Sequence, residues 1–246
     1  MRDKIGIGIY GIDKMLFGGI PSGNQVILSG GPGSGKTLFA FEFLYRGALK
    51  GEVGILFSLE EKPEMILDNA KEAFGDLADV DKLVAEKKLI LYGSGDIRSY
   101  FRGEGEGSKY AFGEMITELE SAIESSHATR IVIDSISILK LLIRDPFEYR
   151  NISIDLVSAL RRLKVTALIT IEMDVADKGR VLFQPEFFIY DGIISMYSSG
   201  DEGSNRTLTM EIVKMRGSKH SFTTVPYEIT PAGINVLLLS ERNSGK

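Results

Sequence analysis

The sequence predicts an α/β fold in which helices flank a mostly parallel central sheet and antiparallel strands close its C-terminal edge. Three observations predict it. Apolar runs of strand length alternate with helix-periodic segments between residues 25 and 171, the pattern of βαβ units. A Gly-rich segment joins the first such run to the first such helix. Beyond Asp191 the helical period gives way to short apolar runs separated by Gly, Asp, Asn and Pro turns. The chain has 246 residues, 43% of them hydrophobic, enough for a large core. No compositional break divides it, so residues 1–240 read as one domain and residues 241–246 as a polar tail.

The first strand is expected over residues 25–29, whose Val26-Ile27-Leu28 run stops at the glycines. A buried helix follows over residues 37–44. Further strands are expected at 53–59, 89–92, 130–134 and 166–171. Between them, Ile66, Ala70 and Ala73 mark one helical face, Met115, Leu119 and Ala122 a second, and Ile152, Leu156, Leu160 and Leu163 a third. The antiparallel strands are expected at 193–197, 207–214, 224–229 and 234–239. Residues 93–113 and 174–186 read as mobile loops whose aromatic residues Tyr100, Phe101 and Tyr110 could meet a protein partner.

The Gly-rich segment, Gly30-Gly31-Pro32-Gly33-Ser34-Gly35-Lys36-Thr37, fits the phosphate-loop pattern G-x-x-x-x-G-K-[ST] and stands between a strand and a helix, as that mechanism requires. Glycines let successive N–H groups converge on a phosphate, and the helix aims its positive end at the same point. Gly31, Pro32, Gly33, Ser34, Gly35, Lys36, Thr37 and Leu38 are therefore the expected nucleotide-binding residues. Lys36 would reach the β and γ phosphates and Thr37 would ligate Mg²⁺. ATP and Mg²⁺ are the expected cofactors.

Ligands of such sheets sit beyond the carboxyl ends of the strands, where three runs end in acids. Ile131-Val132-Ile133 delivers Asp134, expected to join Thr37 at the metal; a turn acid or helix cap is the plainer reading. The strand at 53–59 ends in Glu60-Glu61, either of which could orient or deprotonate the attacking water. Repulsion between the two would raise the proton affinity of one. Alternatively, they favour the N-terminus of the helix opened by Pro63 and Glu64. Glu172 ends the run at 166–171 and could sense the nucleotide or cap a loop.

Composition narrows the classes further. The absence of Cys excludes disulfides, Cys-ligated zinc, thiol nucleophiles and Fe–S clusters, and two His leave little scope for a His-based metal site. No apolar run approaches the ~18 residues of a membrane-spanning helix, so a cytoplasmic protein without a membrane partner is expected. A net charge of −5 disfavours a globally basic nucleic-acid footprint. Charges also balance across 93–113, where Arg98, Arg102 and Lys109 face Asp96, Glu104 and Glu106. In 174–186, Lys178 and Arg180 are opposed by Asp174, Asp177 and Glu186.

Taken together, these residues resemble a single-domain KaiC-like ATPase of the RecA superfamily, a RecA-like P-loop NTPase fold. The resemblance runs from Gly8-Ile9-Tyr10-Gly11-Ile12-Asp13 and Gly18-Gly19-Ile20-Pro21-Ser22-Gly23 through the phosphate loop, Glu60-Glu61 and Ile133-Asp134-Ser135. It continues into Tyr190-Asp191-Gly192-Ile193-Ile194 and Lys214-Met215-Arg216-Gly217-Ser218-Lys219-His220. It implies an ATP-binding subunit that assembles head to tail, typically as a hexameric ring, with nucleotide at each interface. It also implies catalytic roles for Glu60 and Glu61, with Lys214 and Arg216 reaching the γ-phosphate bound by the neighbouring subunit. A solvated basic turn is the alternative for Lys214 and Arg216.

With only one ATPase core, the chain departs from the two-domain clock protein that names the family, and nothing assigns a phosphosite. The expected function is a slow Mg-dependent ATPase acting as a nucleotide-driven switch for an unidentified protein partner. An assembly scaffold with negligible hydrolysis and a DNA-dependent recombinase-like ATPase are the alternatives. No role is assigned to Asp191 or His220.

Overall fold

A computed structural model describes residues 3–75, 77–93, 106–143, 145–173, 185–200 and 206–238, with 106–111 described by backbone alone. The strands are β1 (Lys4–Ile5), β2 (Ile20–Pro21), β3 (Gln25–Gly30), β4 (Gly54–Ser58), β5 (Leu89–Gly93), β6 (Arg130–Asp134), β7 (Thr166–Glu172), β8 (Gly192–Ser199), β9 (Thr207–Met215), β10 (Val225–Thr230) and β11 (Gly233–Val236). The helices are α1 (Ile12–Met15), α2 (Lys36–Ala48), α3 (Pro63–Ala73), α4 (Val80–Ala85), α5 (Glu106–Ser126), α6 (Ser137–Leu142) and α7 (Pro146–Arg162), followed by a 3₁₀ turn at Pro185–Phe188.

Nine strands form one sheet in the order β11-β10-β9-β8-β3-β7-β6-β4-β5, and β1 pairs separately with β2. From β8 to β5 every pairing is parallel, while β8-β9, β9-β10 and β10-β11 are antiparallel. This corrects one expectation: the strand at 193–197, grouped with the antiparallel set, lies parallel to β3 from Val26↔Gly192 to Gly30↔Met196. It starts at the same end of the sheet as β3, because the connection after β7 carries the chain back to that end before β8 begins, as a parallel crossover must.

The loop expected over 93–113 is corrected at its ends. Gly93 closes β5 and residues 106–113 form the first turns of α5. Gly107 and Gly113 each cost a helix roughly 1 kcal/mol, which burial of Phe112, Met115, Leu119 and Ile123 along one face outweighs. Residues 94–105 and 174–184 and the tail at 241–246 fall outside the described residues.

Alternation along the parallel strands divides the core between the two faces of the sheet. Val26, Leu28, Leu56, Val132, Leu168 and Ile194 pack with α2 on one side. Ile27, Ile55, Phe57, Ile131, Ile133 and Ile169 pack with α5 and α7 on the other. Local chemistry sets the helix starts. Asp145 caps α7 by accepting from the Phe147 N–H at 3.0 Å, and Pro146 and Pro63 stand at first-turn positions where no N–H is needed. The N-terminal end of β6 is clasped by Arg130, 1% exposed, which pairs with Glu52 at 2.6 Å and donates to the Phe43 and Gly6 carbonyls at 2.9 Å.

Candidate functional site

The phosphate loop leaves β3 and winds into α2 through left-handed backbone at Gly33 (φ 74°) and Gly35 (φ 81°), conformations glycine adopts without strain. Gly30 has a different reason to be glycine: a Cβ there would lie 2.4 Å from the Met196 carbonyl oxygen. Ser34 donates to the Gly31 carbonyl at 2.8 Å. Tyr227 of β10 donates to the Ser34 carbonyl, tying the loop to the antiparallel edge. Pro32 and Gly33 are open to solvent, Gly31 is partly buried and Ser34 is buried. Leu38 packs its side chain against the core, so its backbone N–H is what it has to offer a ligand.

Lys36, 9% exposed, turns its ammonium to the Gly31 carbonyl at 3.0 Å. Burial pushes its pKa down, and the carboxylates of Glu172, Asp134 and Glu60 push it back up. Asp134 accepts from the Thr37 hydroxyl at 3.0 Å and from Thr170. Burial raises its proton affinity, restrained by those two hydrogen bonds and by Lys36. Two hard oxygen donors side by side beside a cation, at the positive end of a 13-residue helix, suit Mg²⁺ shared with phosphates. Among the described residues no group of three or more His, Cys, Asp or Glu could hold a metal by itself.

Glu60 and Glu61 are both exposed at the carboxyl end of β4. Glu60 feels the charges of Glu172 and Asp134, and polar groups of Ser135 and Ile138 favour its charged form. The Glu61 backbone carbonyl accepts from Ser58. Glu60 holds its proton more tightly than usual, first through burial and then through the negative charges of Glu172 and Asp134. This corrects the expected cause, repulsion by Glu61: the negative charges acting on Glu60 are those of Glu172 and Asp134, and Glu172 comes to the site because β7 lies directly between β3 and β6. The Glu172 N–H is held by the Ser137 hydroxyl at 2.7 Å.

Lys214 and Arg216 are not brought to this cluster. They end β9 beside Gly192, level with the start of β3, whereas the phosphate loop begins at its finish. At ~3.3 Å per residue the separation along the strand is about 10 Å for Lys214, level with Ile27, and about 16 Å for Arg216, level with Gln25. Lys214 donates to the Tyr190 carbonyl at 2.6 Å and Arg216 to the Phe188 carbonyl at 3.0 Å.

One feature of the site was missed from sequence. A cleft of about 530 Å³ lies along β9 and β10, lined by Arg206, Leu208, Tyr227, Ile229, Thr230 and Leu237 among others. It abuts the phosphate loop, since Ile229 Cδ1 lies 2.8 Å from where a Gly35 Cβ would be. Its neighbouring hairpin is anchored to α2 by Glu42, which accepts from the Ile234 N–H at 2.8 Å and pairs with Arg46. No short motif signals it, because its lining comes from three separate stretches, 206–208, 226–230 and Leu237, that only sheet pairing brings together.

The family model for the KaiC ATPase matches residues 5–241. The chain belongs to the KaiC ATPase family. This KaiC-family chain is 35% identical to a UPF0273 protein of Thermotoga maritima over the full length of both. It is 33% identical to the circadian clock oscillator protein KaiC of Synechococcus elongatus, a match that spans 94% of this chain and 43% of that protein. Among solved structures it is similar to a KaiC-like protein of Pyrococcus horikoshii, with a TM-score of 0.80, 28% identity, and coverage of 97% of this chain and 100% of the other. The fold is thus the RecA-like α/β fold of KaiC-like ATPases, and membership of this family implies ATP binding. Among the described residues no helix is long and apolar enough to cross a membrane.

Proposed function

We propose that the chain is a slow Mg-dependent ATPase that assembles head to tail, with a hexameric ring as the closed form, and acts as a nucleotide-driven switch for a protein partner. The observation that carries the hydrolytic part is the convergence of Lys36, Thr37, Asp134 and Glu60 at the carboxyl ends of adjacent strands. The N–H groups of Gly31 and of Gly33 to Leu38, with the α2 dipole, would bind the phosphates, and Lys36 would exchange the Gly31 carbonyl for phosphate oxygens. The cleft beside Tyr227 and Ile229 takes the nucleoside. Thr37 and Asp134 would hold Mg²⁺, whose charge would be supplied to the phosphate oxygens. Glu60, whose charged form Ser135 and Ile138 favour, orients water and accepts its proton, with the adjacent Glu61 the second carboxylate at that strand end.

Interface completion rests on Lys214 and Arg216. Along the strand about 10 Å separates Lys214, and about 16 Å Arg216, from the loop of their own chain, which supports a neighbour's loop as the one they serve. A cation supplied in trans to a transferring phosphoryl group is worth about 10³ to 10⁵ in rate. The contact is heterologous and closes into a ring when the rotation between subunits fits.

Phosphate release from Mg·ATP over a range of protein concentrations tests the reading. Specific activity is expected to rise with concentration and to collapse in Arg216→Ala. A flat, near-zero rate with intact ATP binding would instead mark an assembly scaffold and remove the catalytic role of Glu60.

A further inference from the structure

Asp191 sits at the junction of three elements and has no part in the chemistry described above. Its backbone N–H donates to the Gln25 carbonyl at 2.8 Å, and its Oδ2 accepts from the Gln25 N–H at 3.1 Å, fixing it to the first residue of β3. Its carbonyl accepts from the Arg216 N–H at 2.8 Å. Its Oδ1 accepts from Arg161 of α7 at 2.9 Å and lies 3.8 Å from the Arg216 guanidinium. Arg161 also donates to the Ile189 carbonyl at 3.0 Å. Residues 187–191 therefore receive three cations, Arg161, Lys214 and Arg216, around one carboxylate that is 14% exposed.

We infer that Asp191 is a positioning residue for the trans-acting Arg216: it anchors the base of that side chain to β3, while Arg161 competes for the same carboxylate oxygen and leaves the guanidinium half-free. The inference rests on the trans role of Arg216 proposed above. The cluster carries two more positive than negative charges, so it attracts an incoming anion such as a neighbour's γ-phosphate. The carboxylate keeps the like charges from scattering, and the surplus keeps Arg216, 49% exposed, available to leave. The crowding is visible at Lys214, whose ammonium is disfavoured by burial first and then by Arg216 and Arg161, with Asp191 opposing them. Because Asp191 grips the start of the strand that ends in the phosphate loop, the aim of each finger is referenced to the rigid core of its own subunit.

Asp191→Asn removes the charge but retains an acceptor for the Gln25 N–H. Turnover in this variant is expected to fall by about 10²-fold, the typical consequence of an ångström-scale misplacement, with ATP affinity unchanged. A variant carrying Lys36→Ala has a dead loop but an intact finger. Co-assembled with it, about half of the Asp191→Asn loops face a correctly held Arg216 and regain turnover, which no damage confined to the Asp191→Asn subunit would allow. Turnover equal to the parent in Asp191→Asn, or no recovery on co-assembly, overturns the inference. If Arg216→Ala run alongside keeps full activity, the trans-finger reading itself is what fails. Should Asp191→Asn not fold, Arg161→Gln leaves the Gln25 contacts in place and lets the carboxylate close on Arg216. It is expected to lower kcat at unchanged ATP affinity, and an unchanged kcat overturns the inference equally.

Discussion

In the proposed mechanism turnover depends on Glu60, and its surroundings bear on how it titrates. A base must be deprotonated to accept a proton from water, and burial together with Glu172 and Asp134 makes that form costly. The acid limb of kcat against pH is therefore expected above the ordinary carboxylate range, with turnover falling as pH drops through it. Glu172→Gln removes one negative neighbour and is expected to move that limb to lower pH; a limb that does not move assigns it to another group. Glu60→Gln is expected to lower turnover by about 10² to 10⁴ while ATP stays bound, measured as single-turnover phosphate release from trapped nucleotide. Retained turnover removes Glu60 from the mechanism.

Single elements carry stability as much as chemistry, and the start of β6 is the clearest case. Arg130 crosses from β6 to α2, reaching Glu52 and two backbone carbonyls, with its guanidinium 4.6 Å from the Phe43 ring centre. Arg130→Met is expected to destabilise the fold by about 3 kcal/mol in urea unfolding, since it strands those acceptors. An unchanged midpoint would mean that the clasp adds nothing net. Nothing in the sequence announced this pairing, because Arg130 and Glu52 lie far apart in the chain and meet only once β4 and β6 are neighbours.

What was legible followed from local chemistry. β3, β4, β6 and β7 read as strands because an apolar run buried on both faces needs no partner to be recognised. The phosphate loop read as a loop because its glycines serve backbone conformations. β8 is antiparallel to β9 as expected, but its parallel pairing with β3 was not legible, since strand direction is set by the connection and not by the strand's residues. Glu172 reached the site only through strand order, and the cleft along β9 and β10 only through sheet pairing.

At the scale of the molecule, the two halves of the proposed mechanism lie at opposite ends of one strand. The acidic end holds the loop, Glu60, Asp134 and Glu172, while the basic end holds Arg161, Lys214 and Arg216 around Asp191. Such polarity suits a chain whose ends meet in successive copies, and under the proposed mechanism it would tie hydrolysis to assembly. The central claim, a site completed by the neighbouring subunit, is tested most directly by mixing two variants that each lack one half. Lys36→Ala and Arg216→Ala are each expected to show no turnover alone and to recover a substantial fraction when co-assembled. Two inactive variants whose mixture stays inactive, while each still assembles with the parent, would contradict it.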